Sequence, residues 1–236
     1  MSFKATSFKF QESDLENNME HKNQVAAFYA KTAAGYDAAA SERHERANDL
    51  GQLRDMVAHL ARGHAILELA CGTGYWTEVM AATAERIVAT DTSAEMLDLA
   101  ARRRLPADKV AFREADALQL PADLGEFTAV FIGFWWSHLL REEQDAFLKQ
   151  LRARVGKDVL LIVLDDAYVE GSSTTIARTD AQGNTFQLVT TPDGERVELP
   201  KSYPTDSTLR KRLADAVREI KIVRMEYYWL LTCRLK

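Results

Sequence analysis

The stretch Ile66-Leu67-Glu68-Leu69-Ala70-Cys71-Gly72-Thr73-Gly74-Tyr75-Trp76-Thr77 decides how this chain folds. A short apolar run carries one acid, turns through Gly-x-Gly and continues into helix-forming residues. That order predicts a first parallel strand, a tight turn at its carboxyl end and a helix whose N-terminus faces a ligand, which is the layout of a nucleotide-cofactor site. A dinucleotide fingerprint, G-x-G-x-x-G, uses its third glycine for close helix–strand packing. Thr77 stands at that position, which weakens the dinucleotide reading. Glu68 is costly inside a strand unless it meets partners, and it suits a ligand carrying an ammonium group.

The pattern repeats downstream. Strands are expected over 65–70, 86–90, 109–113, 127–133 and 159–165, with helices over 75–82, 94–104 and 142–154. Ser93 is a natural N-cap for the second of these. Such alternation implies an α/β protein with a parallel, doubly wound sheet. Asp91 ends the second strand, 91 − 72 = 19 positions beyond Gly72. An acid about 20 residues on can accept hydrogen bonds from ribose hydroxyls; the bland alternative is an acid favoured by the dipole of the next helix.

Upstream, residues 22–49 read as Ala-rich helix, with Ala26, Tyr29, Ala33 and Tyr36 at helical spacing. Residues 50–60 read as a second helix, with Leu53, Val57 and Leu60 on one face and Gly63 ending it. Residues 1–20 are polar and are expected to be loosely ordered or to form a lid. After Asp166 the rhythm changes. Strand-like runs at 174–176, 185–190 and 196–199, separated by turn-forming residues, predict a small antiparallel flap inserted over 171–200. A helix over 207–217 and two adjacent strands over 220–225 and 227–235 follow.

The 236 residues, 47% hydrophobic and 28% charged, suit a soluble globular protein with a real core. They are read as a single domain, 1–236, with a helical cap over 1–60 and the insertion as a flap. A net charge of −5 gives no basic footprint for nucleic acid. Cys71 and Cys233 sit in different motifs and form neither a disulfide framework nor a metal site. No apolar run approaches the roughly 18 residues of a membrane span, and the N-terminal residues do not read as a signal peptide. A cytoplasmic location is the expectation. The exposed insertion could pair across a homodimer.

Glu68-Leu69-Ala70-Cys71-Gly72-Thr73-Gly74 resembles the first motif of class I S-adenosylmethionine-dependent methyltransferases. With the segments that follow, the resemblance runs over about residues 29–166, toward the small-molecule enzymes of the ubiquinone and menaquinone biosynthesis group. It implies a Rossmann-like seven-stranded sheet whose last strand inserts antiparallel, with S-adenosylmethionine as cofactor. It implies that Glu68 faces the methionine end or orders the glycine loop, and that the backbone of Ala70 and Gly72, with Gly74 completing the turn, approaches the methionine moiety. Ala70 departs from the commoner glycine. Asp91 and Thr92 would meet the ribose, Met96 would lie against adenine, and Asp116 with the backbone of Ala117 would read the adenine edge. Tyr36, and after it Tyr29, would close over the cofactor carboxylate, and Phe134 would lie beside the cofactor.

On the acceptor side, Trp135 and Trp136 follow the fourth strand, at the edge where open α/β sheets bind ligands. They could wall a planar acceptor or hold a cation; alternatively one packs the core. His138 resembles a histidine of the same enzyme group and is the candidate general base, against the plainer reading of a structural histidine. Asp165 and Tyr168, with Asp166, follow the fifth strand and could hold an acceptor, or be solvated turn residues. No Asn-Pro-Pro-Tyr or Asp-Pro-Pro-Tyr follows the fourth strand, which argues against methylation of exocyclic base amines. The expected function is methyl transfer to an N or O atom of a small molecule. The competing readings are an NAD(P)-dependent oxidoreductase and a non-catalytic S-adenosylmethionine-binding protein, since fold alone does not fix function.

Overall fold

The structure, a computed structural model, describes residues 12–236, with side chains from His21 onward except at 39–41. Three helices come first: α1 (Glu12–Thr32), α2 (Tyr36–Ser41) and α3 (Ala47–Ala61). The alternating part is β1 (Ala65–Leu69), α4 (Tyr75–Ala81), β2 (Arg86–Asp91), α5 (Ala94–Ala101), β3 (Val110–Glu114), β4 (Ala129–Gly133), α6 (Arg141–Val155) and β5 (Leu160–Asp166). The insertion contributes β6 (Ile176–Thr179), β7 (Thr185–Thr190) and β8 (Arg196–Pro200). The chain closes with α7 (Asp206–Leu213), β9 (Val217–Arg224) and β10 (Tyr228–Leu235).

The main sheet has seven strands in the order β3-β2-β1-β4-β5-β10-β9. Its first five strands are parallel, and β10 runs antiparallel to both β5 and β9. β6, β7 and β8 form a separate antiparallel sheet. The strand order reverses between β1 and β4, so the carboxyl ends of those two strands open a crevice.

Alternation along each strand feeds two cores. Leu67 and Leu69 of β1 join Val130, Ile132, Leu161 and Val163 under Phe147, Leu148 and Leu151 of α6. Ile66 faces the other way, with Phe131, Ile162 and Leu164, under Leu53 and Val57 of α3 and Val79 and Met80 of α4. All five residues of β1 are buried, as expected for a central parallel strand covered on both faces. Glu68 shares the Ile66 parity, and therefore points at α4 rather than along the strand toward the crevice.

Local expectations hold with shifts at the ends. Ser93 caps α5, its hydroxyl accepting from Met96 N at 3.2 Å. The helical stretch expected over 22–49 is instead broken by 3-10 turns at Ala33–Gly35 and His44–Arg46. α7 stops at Leu213 and β9 begins at Val217, because Val217 packs into the core against the last strand. The first insertion strand lies at Ile176–Thr179 rather than 174–176. Of the segment read as loose or lid-like, 12–20 are helical, and the part over 1–11 lies outside the described residues.

Candidate active site

The crevice is a cavity of about 1260 Å³, its solvent-open mouth included, walled by the carboxyl ends of β1, β2 and β4, the loop after β3 and one face of α1. Its floor is the glycine turn. Ala70, Gly72 and Gly74 all take left-handed backbone angles, with φ of 53°, 54° and 77°. Glycine adopts these freely, whereas alanine bears a steric cost. The Ala70 departure noted in the sequence is therefore a strained position on the cavity wall, where such strain collects.

Asp91 fastens this turn to the next strand. One carboxylate oxygen accepts the Gly72 N–H at 2.8 Å and the other accepts the Ser93 N–H at 2.9 Å. Burial pushes its pKa up, and the backbone donors pull it back. Each oxygen keeps a further lone pair, which is what a pair of ribose hydroxyls requires. Thr92 and Met96 line the cavity beside it, with Asp116 and Ala117 opposite. Asp116 gives one oxygen to Leu118 N at 2.8 Å.

The far wall is aromatic. Phe134, in a left-handed conformation with φ of 57°, and Trp135 line it together with Tyr29, Tyr36 and His138. The Tyr29 hydroxyl lies 2.8 Å from His138 Nε2, and the Tyr29 and Tyr36 rings meet edge-on at 5.9 Å. His138 Nδ1 lies 2.7 Å from the Pro200 carbonyl oxygen. A carbonyl only accepts, so Nδ1 carries the hydrogen and Nε2 accepts from Tyr29. Burial, and then the neighbouring Lys201 ammonium, hold the His138 pKa down at about 3. Burial raises Tyr36 to about 12 and Tyr29 further still, so both stay protonated.

A second tie holds α2 over the glycine turn. Thr73 Oγ1 donates to Asp37 Oδ1 at 2.6 Å, and Arg103 of the α5 C-terminal flank donates to the Thr73 carbonyl at 2.6 Å and pairs with Asp37. Tyr36, one residue before Asp37, is thereby fixed over the cavity.

Six of the residues singled out from sequence, Glu68, Gly74, Trp136, Asp165, Asp166 and Tyr168, do not line the cavity. Glu68 is buried against α4, where Thr77 Oγ1 donates to its Oε2 at 2.6 Å. Burial raises its pKa to about 8. Its partner Thr77 lies in the first turn of the helix that follows the glycine turn. Gly74 sits behind the turn, with room for no side chain: an added Cβ would lie 3.0 Å from Ala100 Cβ. Trp136 is core, 2% exposed and packed on Phe147, while its neighbour Trp135 reaches the cavity. Asp165 is fully buried, with its oxygens taken by Ser137 N, Asp166 N and Lys201. Tyr168 is 47% exposed and meets Tyr203 edge-on at 5.3 Å.

Sequence reasoning missed Pro200 and Lys201 of the insertion, and Arg46 of the cap. Lys201 Nζ reaches Asp166 Oδ2 at 2.8 Å and Asp165 Oδ1 at 3.2 Å, and Arg46 reaches Asp166 Oδ1 at 3.1 Å. The available signal was Asp165-Asp166 itself, since two acids ending a buried strand require cations nearby.

Residues 66–158 match a sequence family described as a methyltransferase domain. A demethylmenaquinone methyltransferase of Clavibacter sepedonicus is 34% identical over 133 residues, covering 55% of this chain and 54% of its own length. The chain thus spans about half the length of the curated relatives it matches. Two solved structures align over nearly the whole fold. The DhpI-SAH complex has a TM-score of 0.71 and 28% identity, covering 90% of this chain and 96% of that one. The DhpI-SAM-HEP complex has a TM-score of 0.73 and 26% identity, covering 91% and 97%. Strand order, glycine turn and these likenesses agree: residues 66–158 match a methyltransferase domain, and the chain is similar over most of its fold to S-adenosylmethionine-dependent methyltransferases.

Proposed function

We propose that the protein transfers a methyl group from S-adenosylmethionine to an N or O atom of a small-molecule acceptor, releasing S-adenosylhomocysteine. The observation that carries this reading is the Asp91 clamp on the glycine turn, set beside a wall of protonated tyrosines and a neutral histidine. The residues fit the cofactor. Asp91 has lone pairs for the ribose, Asp116 has an uncommitted carboxylate oxygen at the cavity for an exocyclic amine, and Met96 and Ala117 are apolar neighbours for a flat base. The backbone at Ala70 and Gly72 borders the remaining space, with Tyr36 fixed above it. When bound, the cofactor supplies an electrophilic methyl group; the chain's own part is alignment, which can remove up to about 7–11 kcal/mol of a bimolecular barrier.

The acceptor face supports an acceptor that brings a hydrogen. Tyr29, whose hydrogen goes to His138 Nε2, keeps oxygen lone pairs that can receive a hydrogen bond such as a hydroxyl or amine would offer. Because its protonated form is disfavoured, His138 serves better to orient the Tyr29 hydroxyl than to store a full proton. The NAD(P) alternative is opposed by Thr77, whose hydroxyl is spent on Glu68 at the place where a dinucleotide site needs glycine. We further read the chain as one domain with the β insertion as a wall of the acceptor site.

Calorimetric titration with S-adenosylhomocysteine and with NADH, using Asp91→Ala as control, tests the cofactor half. Binding of the former alone, lost in the variant, is expected; binding of NADH instead would overturn the proposal. Transfer of labelled methyl groups across a panel of hydroxyl and amine acceptors then separates an enzyme from a binding protein, which would bind without turnover.

A further inference from the structure

The insertion touches the cavity only at its last residues, and there it supplies direction to an imidazole. Three contacts join residues 200–202 to residues 137–138. The Pro200 carbonyl takes the His138 Nδ1 hydrogen at 2.7 Å, Ser202 N–H donates to the Ser137 carbonyl at 2.9 Å, and Lys201 Nζ donates to Ser137 Oγ at 2.9 Å. Ser137 is in turn held from behind, its N–H donating to Asp165 Oδ2 at 2.8 Å. Lys201 is buried, and its backbone is locked into the insertion sheet by Thr185 on both sides: Lys201 N–H donates to the Thr185 carbonyl at 2.8 Å, and Thr185 Oγ1 donates to the Lys201 carbonyl at 2.5 Å. One ammonium therefore joins the insertion, the end of β5 and the turn that carries His138.

We propose that Lys201 is a positioning residue: by pinning Ser137 and the end of β5 to the insertion it keeps the Pro200 carbonyl on Nδ1, so that His138 holds its Nε2 lone pair toward the Tyr29 hydroxyl at the cavity wall. The purpose assigned to that lone pair rests on the methyl-transfer reading. The tautomer itself does not.

The charges around the ring work in the same direction. Tyr29 from α1 meets His138 directly, and Lys201 after β8 and Asp166 from β5 act on the ring; behind them Tyr36 of α2 lies against Tyr29, Asp165 pairs with Lys201 and Arg46 pairs with Asp166. With Lys201 in place the two carboxylates are compensated, and a second positive charge on the ring is opposed. Without it they would draw a proton onto the imidazole. Both ring nitrogens would then donate, and Nε2 could no longer accept the Tyr29 hydrogen.

The test is histidine-selective 15N NMR on the full chain from about pH 5 to pH 8, with His138 assigned by its loss in His138→Gln. In the unmodified protein His138 is expected to remain neutral and protonated at Nδ1 throughout. In Lys201→Met it should become protonated within that range, and Lys201→Arg should restore the original behaviour. Ser137→Ala removes the link without leaving a buried charge unpaired, and should show a mixture of tautomers; it serves if Lys201→Met does not fold. A hydrogen on Nε2 in the unmodified protein, its titration near the ordinary value of 6.5, or variants identical to it would each overturn the proposal. S-adenosylhomocysteine calorimetry on the same samples keeps the two readings apart: no binding with the tautomer intact would sink the methyl-transfer reading and leave this one standing.

Discussion

Replacing Glu68 by Gln should flatten a large part of the protein's stability profile with pH. Glu68 is 1% exposed, and among the described residues its side-chain partner is the Thr77 hydroxyl at 2.6 Å. Desolvation is the leading cause of its raised pKa, about 8 against an ordinary 4.5, with Asp91 adding to it. For an acid raised on folding, the native state keeps a proton that the unfolded chain releases, so stability falls as pH rises from about 4.5 to about 8. The span is 8 − 4.5 = 3.5 pKa units, or about 5 kcal/mol at about 1.4 kcal/mol per unit. Gln cannot ionise, yet its amide oxygen can still accept the Thr77 hydrogen. The Tm difference between variant and parent should therefore grow in favour of Gln between about pH 5 and pH 9. At about 2–4 °C per kcal/mol for a domain of this size, the growth amounts to about 10–20 °C. Differential scanning calorimetry of both proteins across that range measures it, and taking the difference cancels the other acids raised by burial, Asp91 and Asp165. A Tm difference that stays constant with pH would show that Glu68 is ionised in the fold, and would refute the desolvation argument.

Other outcomes follow from the same geometry. Asp91→Ala removes the acceptor for Gly72 N and Ser93 N together with the two ribose contacts proposed for it, and at about 1.5–3 kcal/mol for each hydrogen bond to a charged group should weaken S-adenosylhomocysteine by about 100-fold to 10,000-fold; unchanged affinity by calorimetry would contradict the assignment. Gly72→Ala meets no atom within 4 Å and bears only the left-handed backbone cost, about 1–2 kcal/mol, whereas Gly74→Ala adds a Cβ 3.0 Å from Ala100 and should lose more in urea unfolding. Trp136→Ala should cost about 3–5 kcal/mol, as for a core aromatic; Trp135→Ala should cost less in urea but change ligand affinity, and the reverse order would exchange their roles.

Much of the geometry around the glycine turn was legible because its signals are local. A glycine turn needs left-handed backbone within a few residues, and Asp91 reaches Gly72 because neighbouring parallel strands set their ends side by side. The face that Glu68 takes follows from strand parity once β1 is known to be covered on both sides. The acceptor half was legible only in part. Trp135 and Trp136 are identical in type and adjacent; which of them enters the core depends on the 3-10 turn after β4, which nothing in the sequence marks. Asp165 reads as a ligand-edge acid until Lys201, 36 residues on, is seen to consume it. Tyr168 sits two residues beyond the fifth strand and is half exposed.

By itself, the sequence determined the five alternating strands, the glycine turn and the acids at its rim. Periodicity and turn chemistry act over a few residues and need no partner. The tertiary structure alone decided what closes the cavity and which way its histidine points. Tyr29 and His138 are 109 residues apart, and His138 and Pro200 are 62 apart. Contacts at such separations depend on how α1 and the insertion dock on the sheet, which is set by the summed packing of many side chains and is written in no single stretch of the chain.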